Sequence, residues 1–343
     1  MTERVSVIIP FYQRVAGVLP RALASIIEQR LAGDTRIDVI IVDDQSPVDP
    51  ADEVAGITFP PHVSLEILRR PNGGPAAARN TGLDHVPETC DAIALLDSDD
   101  AWTPDHLQSG LDALAAGADF YFDDHMTLGD GGSYFRSLLQ AEQAMDCGLP
   151  TSVPGERYRL AAPERAGGSL HAFRTGEAVA ALCSCYLAHT STMIYRRSSL
   201  GVLRFDTRLK VAGEDYYFSF LLAQAAALTV YSDAVGCIQG RGVNIYHSNV
   251  TRGSAANLHL LRDALLGVLR MQAALGDNPR AGAVLERTVE ARRDDFAWAW
   301  VTTGIKLRRW DLESLRTVSD ALPGFAGQVP FRVAAQALGR IRR

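Results

Sequence analysis

The chain has 343 residues, 47% of them hydrophobic, and a formal net charge of -6. That length allows one large α/β domain with a helical appendage, and the acidic balance argues against nucleic acid as the main partner. The early apolar run, residues 5–11, is too short and wrongly flanked for a signal peptide or a membrane span.

Residues 4–10 are almost continuously apolar, as expected of a strand buried on both faces of a parallel sheet. The run breaks at Pro10 into Phe11-Tyr12-Gln13-Arg14. Val18, Leu19, Leu23, Ile26 and Ile27 then fall on one stripe at helical spacing, and Gly33-Asp34 ends that helix. A second strand over 37–42 ends in Asp43-Asp44-Gln45-Ser46, and a third is predicted over 63–69. It leads into Arg70-Pro71-Asn72-Gly73-Gly74-Pro75, where glycine lets the backbone approach a ligand closely. A helix follows over 76–83, with Arg79 near its start. The fourth strand, 92–96, ends abruptly in Asp97-Ser98-Asp99-Asp100.

Three carboxylates in four positions repel one another and are costly to desolvate unless paired or bound to metal. The cluster therefore suits a hard divalent cation with oxygen ligands. Alternatively it is a solvated acidic turn that caps the next helix through Asp100 or Thr103. Strand ends at 10, 42 and 96 all deliver polar groups to one edge, where open α/β sheets bind their ligands. An Asp after the second strand can accept a base N–H, an arginine can meet phosphate or ribose oxygens, and the acid cluster can hold an ion against a diphosphate. No phosphate-binding P-loop is present, and no dinucleotide fingerprint follows the first strand.

Four stretches taken in order, Val5-Ser6-Val7-Ile8-Ile9-Pro10-Phe11-Tyr12, Val42-Asp43-Asp44-Gln45-Ser46, Asn72-Gly73-Gly74-Pro75-Ala76-Ala77-Ala78-Arg79-Asn80-Thr81-Gly82 and Leu95-Leu96-Asp97-Ser98-Asp99-Asp100, resemble family-2 glycosyltransferases. The resemblance covers residues 1–125. It implies an α/β fold of GT-A (Rossmann-like) type: a mostly parallel central sheet flanked by helices, with a helical C-terminal appendage. It also implies a nucleotide-sugar donor, usually UDP-linked, with Mg2+ or Mn2+, and inversion at the anomeric carbon by direct displacement. The acid after the second strand, Asp44 or else Asp43, would read the base. Pro10, Phe11 and Tyr12 would line the base pocket, and Arg79 would lie by the nucleotide. The expected donor-binding set also takes in Arg14, Gly74 and Ser98. Asp99 is the expected metal ligand and Asp97 the ribose or sugar contact.

Farther along, 118–122 suits a strand, and Asp123-Asp124-His125 is read as its loop cap, with an acceptor feature as the alternative. Residues 127–175 are weakly patterned and read as a variable insert near the acceptor side. The stretch 190–197 suits a strand. The five cysteines are scattered; Cys183 and Cys185 would point the same way on a strand, and all read as buried free thiols in a reducing cytosol rather than a zinc site. Glu214-Asp215 opens a helix that runs to Leu228. Carboxylates there are favoured by the helix dipole whatever their function. The resemblance implies Asp215 as the general base toward the acceptor hydroxyl, with Glu214 in support. It also implies a role for His247 in the metal shell, with Asn249 and Arg252 beside it.

The stripe Leu258, Leu260, Leu261, Leu265, Leu266 and Leu269 marks a helix, and further helices are expected over 281–306 and 312–321. Trp298, Trp300 and Trp310 add aromatic surface, and the tail 332–343 is basic. That tail reads either as a foot on an anionic membrane or as a packing or dimerisation appendage. The expected division is a catalytic domain over 1–255, made of a donor half (1–125) and an acceptor half (126–255), and a helical region over 256–343.

The sequence thus reads as a cytoplasmic, metal-dependent, inverting glycosyltransferase, with peripheral contact at the inner membrane face and homo-oligomerisation left open. Its acceptor would be a glycan, a lipid-linked sugar or a small molecule, and its role the building of a polysaccharide or other glycan. A sugar nucleotidyltransferase would want a glycine-rich loop after the first strand, and Phe11-Tyr12-Gln13 offers none. A non-catalytic nucleotide-sugar-binding protein would lack the base or the metal acids, and both are present.

Overall fold

Four parallel strands form the first half of the sheet. They are β1 (Arg4–Phe11), β2 (Arg36–Asp43), β3 (Val63–Arg69) and β4 (Ala92–Leu95). β1 lies between β2 and β4, and β3 lies outside β2. The register pairs Phe11 with Asp43 and Asp43 with Arg69, so these strands finish together at one edge. Continuous apolar character in β1 is explained by burial on two sides. Val5, Val7, Ile9 and Phe11 join the main core with α1 (Leu19–Ile27), whereas Ile8 faces α3 (Pro75–His85). There, a Cβ at Gly82 would come within 2.6 Å of the Ile8 Cγ2, so the missing side chain sets how closely α3 lies on the sheet.

In this computed structural model the described residues are 3–128, 132–138, 170–173, 176–240, 251 and 253–341. The chain divides into two units. The first comprises Met1–Thr207 and Phe218–Val243, and the second Arg208–Tyr217 and Asn244–Arg343. In the first unit α2 (Pro50–Val54) follows β2, and the sheet continues past β4. Next to β4 comes antiparallel β8 (Ile194–Arg196), then β6 (Phe120–Thr127) and β9 (Thr229–Gln239), which run parallel to each other. β5 (Ala101–Trp102) and β7 (Leu170–Phe173) both pair antiparallel with β9. The remaining helices are α4 (His106–Ala115), α5 (Glu177–Ser184), α6 (Arg197–Leu200) and α7 (Glu214–Ala225). The first turn of α7, to Tyr217, belongs to the second unit.

Several local expectations are corrected. Asp123, Asp124 and His125 do not cap a loop but lie inside β6, buried. Part of their polar surface is met internally: Asp123 Oδ2 bonds His106 at 2.6 Å, and Asp124 accepts from Ser133 and from the Phe135 amide, whereas Asp123 Oδ1 and His125 Nδ1 are buried without a hydrogen-bond partner. Thr190–Thr192 forms a 3-10 turn, not the start of a strand, because the His189 side chain accepts the Ser191 N–H. Cys183 lies in α5 and Cys185 at its C-terminal end, so strand alternation does not relate them. The four described cysteines are free thiols.

The second unit is helical: α8 (Ala255–Ala274), α9 (Pro279–Leu307), α10 (Leu312–Ala321) and α11 (Phe325–Ile341). Side-chain oxygens of Ser254, Asn278 and Asp311 cap the first three. No helix among the described residues is long and apolar enough to cross a membrane.

Candidate active site

The site is assembled at the carboxyl edge of the parallel strands. β1 and β2 are joined there by the Asp44 N–H donating to the Phe11 carbonyl at 3.0 Å. Asp43 accepts the Ser46 N–H at 2.7 Å and pairs with Arg69 at 3.2 Å. Asp44 turns the other way. Its carboxylate accepts the amides of Gly73 (3.0 Å) and Gly74 (2.7 Å) and lies 3.4 Å from Arg70. Gly74 has φ 86, left-handed backbone that glycine adopts without strain, and it opens α3. Both acids after the second strand are thus buried and braced against the end of the third. Pro10 and Tyr12 are half-buried, Phe11 is buried, and Arg14 is exposed.

Arg79, buried on α3, donates to Asp97 at 2.7 Å, and its guanidinium lies 5.2 Å from the centre of the Phe205 ring. Gln13 ties the strand ends to the acid loop: its backbone N–H donates to the Ser46 hydroxyl at 2.8 Å and its side chain to the Ser98 hydroxyl at 3.0 Å. Arg79 and Asp97 therefore meet, as do Ser98 and the turn after β1.

The four residues after β4 have separate fates. Asp97 and Asp99 are half-buried, whereas Asp100 is 1% exposed. Asp100 does not cap the next helix, which begins at His106. It faces inward and is an anchor. Gly240 donates its N–H to Asp100 Oδ1 at 2.8 Å, and Ser191 donates its hydroxyl to Oδ2 at 2.6 Å. The same Ser191 oxygen accepts the Asp97 N–H at 3.0 Å. Arg21 bridges the Asp99 and Ile238 carbonyls, and a Cβ at Gly240 would sit 1.7 Å from the Asp99 oxygen. The end of β9 is thus pressed against the acid loop, and only glycine fits. Burial pushes the Asp100 carboxyl up to about 6, against the pull of His189, with Asp97 and Asp99 adding to the rise.

Ser191, Gly240 and Arg21 were not legible as site residues, because they are distant in sequence and carry no motif. The same holds for a buried group behind the loop: ligand atoms of Asp100, His189 and Cys237 lie within 4.8 Å of one another. His189 Nδ1 already accepts the Ser191 N–H at 3.3 Å, which occupies the lone pair a metal would need. For Mg2+ or Mn2+ the hard carboxylate donor among the described residues is Asp99, which is not fully buried, while Asp97 is paired with Arg79. Beside this buried cluster, burial, with His189 adding to it, holds the His125 imidazole down at about 3.

Glu214 and Asp215 form the first turn of α7, after Gly213 at φ 83. Glu214 is buried, and Asp215 is half-buried and accepts the Tyr216 N–H at 2.7 Å. The segment leading to them is held within the second unit by Asp263, which accepts the amides of Lys210 and Val211. His247, Asn249 and Arg252, and most of the expected insert 127–175, lie outside the described residues.

Residues 6–201 match the model of the family described as "Glycosyl transferase family 2". The chain is 35% identical over 246 residues to the succinoglycan biosynthesis protein ExoW of Rhizobium meliloti (strain 1021), covering 71% of each. It is 36% identical over 110 residues to the minor teichoic acid biosynthesis protein GgaA of Bacillus subtilis (strain 168), covering 31% of this chain and 24% of that one. Among solved structures it resembles S. aureus TarS 1–349 in complex with UDP-GlcNAc (TM-score 0.56, 19% identity, 97% of this chain and 83% of that one). It also resembles the mannosyltransferase PcManGT from Pyrobaculum calidifontis in complex with GDP-Man and Mn2+ (TM-score 0.57, 17% identity, 99% and 88%). At these identities the structural likeness speaks for the GT-A fold alone.

Proposed function

The chain belongs to glycosyl transferase family 2 and is a glycosyltransferase, and from that premise we propose that it moves a sugar from a UDP-linked donor to an acceptor hydroxyl, with inversion, in the building of a polysaccharide. The observation that carries this reading is the acid loop. Asp97 is paired with the buried Arg79, and Asp99 remains half-exposed beside it, at the edge where β1 and β2 end. Relatives named for succinoglycan and teichoic acid biosynthesis favour a polysaccharide product, and a TarS complex with UDP-GlcNAc favours UDP.

In this mechanism Pro10, Phe11, Tyr12 and Arg14 frame the base, while Asp43, Asp44 and Gly74 hold the floor of that pocket in shape. Arg79 orients Asp97 toward the ribose or donor sugar. Asp99, with His247, would hold Mg2+ or Mn2+. When bound, such an ion offsets charge on the departing nucleoside diphosphate. Asp215 takes the proton of the acceptor hydroxyl as its oxygen attacks the anomeric carbon, and Glu214 supports it or binds acceptor.

The test is calorimetric titration of UDP with Mn2+ into the wild type, Asp99→Ala and Asp215→Ala, with turnover measured on a panel of UDP- and GDP-sugars. We expect only Asp99→Ala to lose metal-dependent binding, and both variants to lose turnover. Undiminished binding in Asp99→Ala would remove the metal assignment, and turnover surviving in Asp215→Ala would remove the base.

A further inference from the structure

The corner between α9 and α10, in the second unit, has a surface unlike that of the other described residues. Eight large hydrophobic side chains are exposed among the described residues, and four of them lie in this corner: Ile305 (65% exposed), Leu307 (48%), Trp310 (47%) and Leu312 (67%). Interleaved with them are Lys306, Arg308 and Arg309, all exposed, in a chain whose net charge is -6. Single exposed apolar residues need no explanation, but a cluster rimmed by charge marks an interaction surface.

The corner is built to hold this arrangement. Arg308 takes the left-handed conformation, φ 52, and ends α9, while the Arg309 N–H returns to the Gly304 carbonyl at 3.1 Å. The Trp310 ring lies over Gly304, where a Cβ would come within 2.4 Å of it, and 4.8 Å from the Trp300 ring. Trp300 in turn donates to the Asp311 carbonyl at 2.7 Å. Asp311, the acid within the corner, is turned into the protein, accepting from the Ser314 amide and hydroxyl and pairing with His259 at 3.0 Å. Glu313 is exposed at the start of α10. The apolar side chains are therefore presented on fixed backbone, with little left to order on binding.

The chemistry selects the occupant. Exposed aliphatic side chains with a half-exposed tryptophan and interleaved Lys/Arg suit the headgroup layer of a bilayer. A second copy docking by the same face would set the three cations against their own images, and the core of a protein interface is poor in lysine. We propose that the α9–α10 corner seats this protein on an anionic membrane surface. Ile305, Leu307, Trp310 and Leu312 enter the headgroup layer, and Lys306, Arg308 and Arg309 meet lipid phosphates.

The test is flotation of the full chain with phosphatidylcholine vesicles, with and without phosphatidylglycerol, at low and high salt. Binding is expected only with phosphatidylglycerol, weakening with salt. Lys306→Gln with Arg309→Gln should reduce it about fivefold per cation. Ile305→Ser with Leu312→Ser should abolish it, with melting temperature unchanged in both. Three results would overturn the proposal: no flotation of the wild type, flotation unaffected by either variant, or a wild-type dimer in sedimentation velocity that the variants dissociate. No donor or acceptor is present, so the outcome is independent of the reading of the sugar site.

Discussion

Two acidic turns flank the end of β1 at the edge of the parallel strands, and they are used in different ways. After β2, both carboxylates are consumed: Asp43 by Ser46 and Arg69, Asp44 by the amides of Gly73 and Gly74 and by Arg70. After β4, Asp100 is buried against Ser191 and Gly240 and Asp97 is paired with Arg79, while Asp97 and Asp99 both stay half-exposed. The first turn shapes a wall, and the second presents charge. What separates them is the neighbour's supply of donors: the Gly73-Gly74 loop offers several N–H groups to one acid, whereas the loop after β4 receives its donors from underneath.

The comparison can be broken most sharply at Asp99. If the second turn presents charge, Asp99→Ala should cut turnover on the order of 10^2–10^3-fold while leaving the melting temperature nearly unchanged. The support beneath comes next. Gly240→Ala forces a Cβ into the Asp99 carbonyl, so it should destabilise by about 1–3 kcal/mol and weaken donor binding too, read by denaturant unfolding and UDP titration. Unchanged UDP affinity there would separate the support from the site.

The buried groups behind the loop give a pH signature. His125 is held near 3, so the folded state keeps it neutral while the unfolded chain protonates near 6.5. Its contribution is present above pH 6.5 and is lost as pH falls toward 3. Between pH 7 and pH 5, wild type should therefore lose about 2 kcal/mol more stability than His125→Phe, measured by urea unfolding at both pH values. The smallest effect belongs to the first turn. Arg69→Ala removes a partner that is more than half exposed, and unfolding should shift by less than about 1 kcal/mol, with turnover unaltered.

Most of the parallel half was legible from sequence because its causes are local. β1, β2 and β4 are apolar runs closed by turn residues, and β3 was placed with its observed ends. β9 escaped notice because Ser232, Asp233 and Gly236 interrupt its pattern, and each has a tertiary reason: Ser232 is buried, Asp233 meets His171 at 3.2 Å, and a Cβ at Gly236 would strike Asp123. The Asp123–His106 pair likewise looks like a polar turn until α4 covers it. Within the site, sequence brought Arg79 and Asp97 to one edge, but their pairing came only with the structure. The anchoring of Asp100 did not, because its partners Ser191 and Gly240 belong to other elements and carry no pattern of their own.

Gly82 illustrates what such geometry asks of inheritance. It stands one helical turn beyond Arg79 and meets Ile8 and Val42 of the sheet. A methyl group there would lift α3 and, with it, the guanidinium that holds Asp97. Position 82 is thus a ruler for a distance in the donor site, and its drift would first be felt as a loss of affinity for a molecule it does not touch.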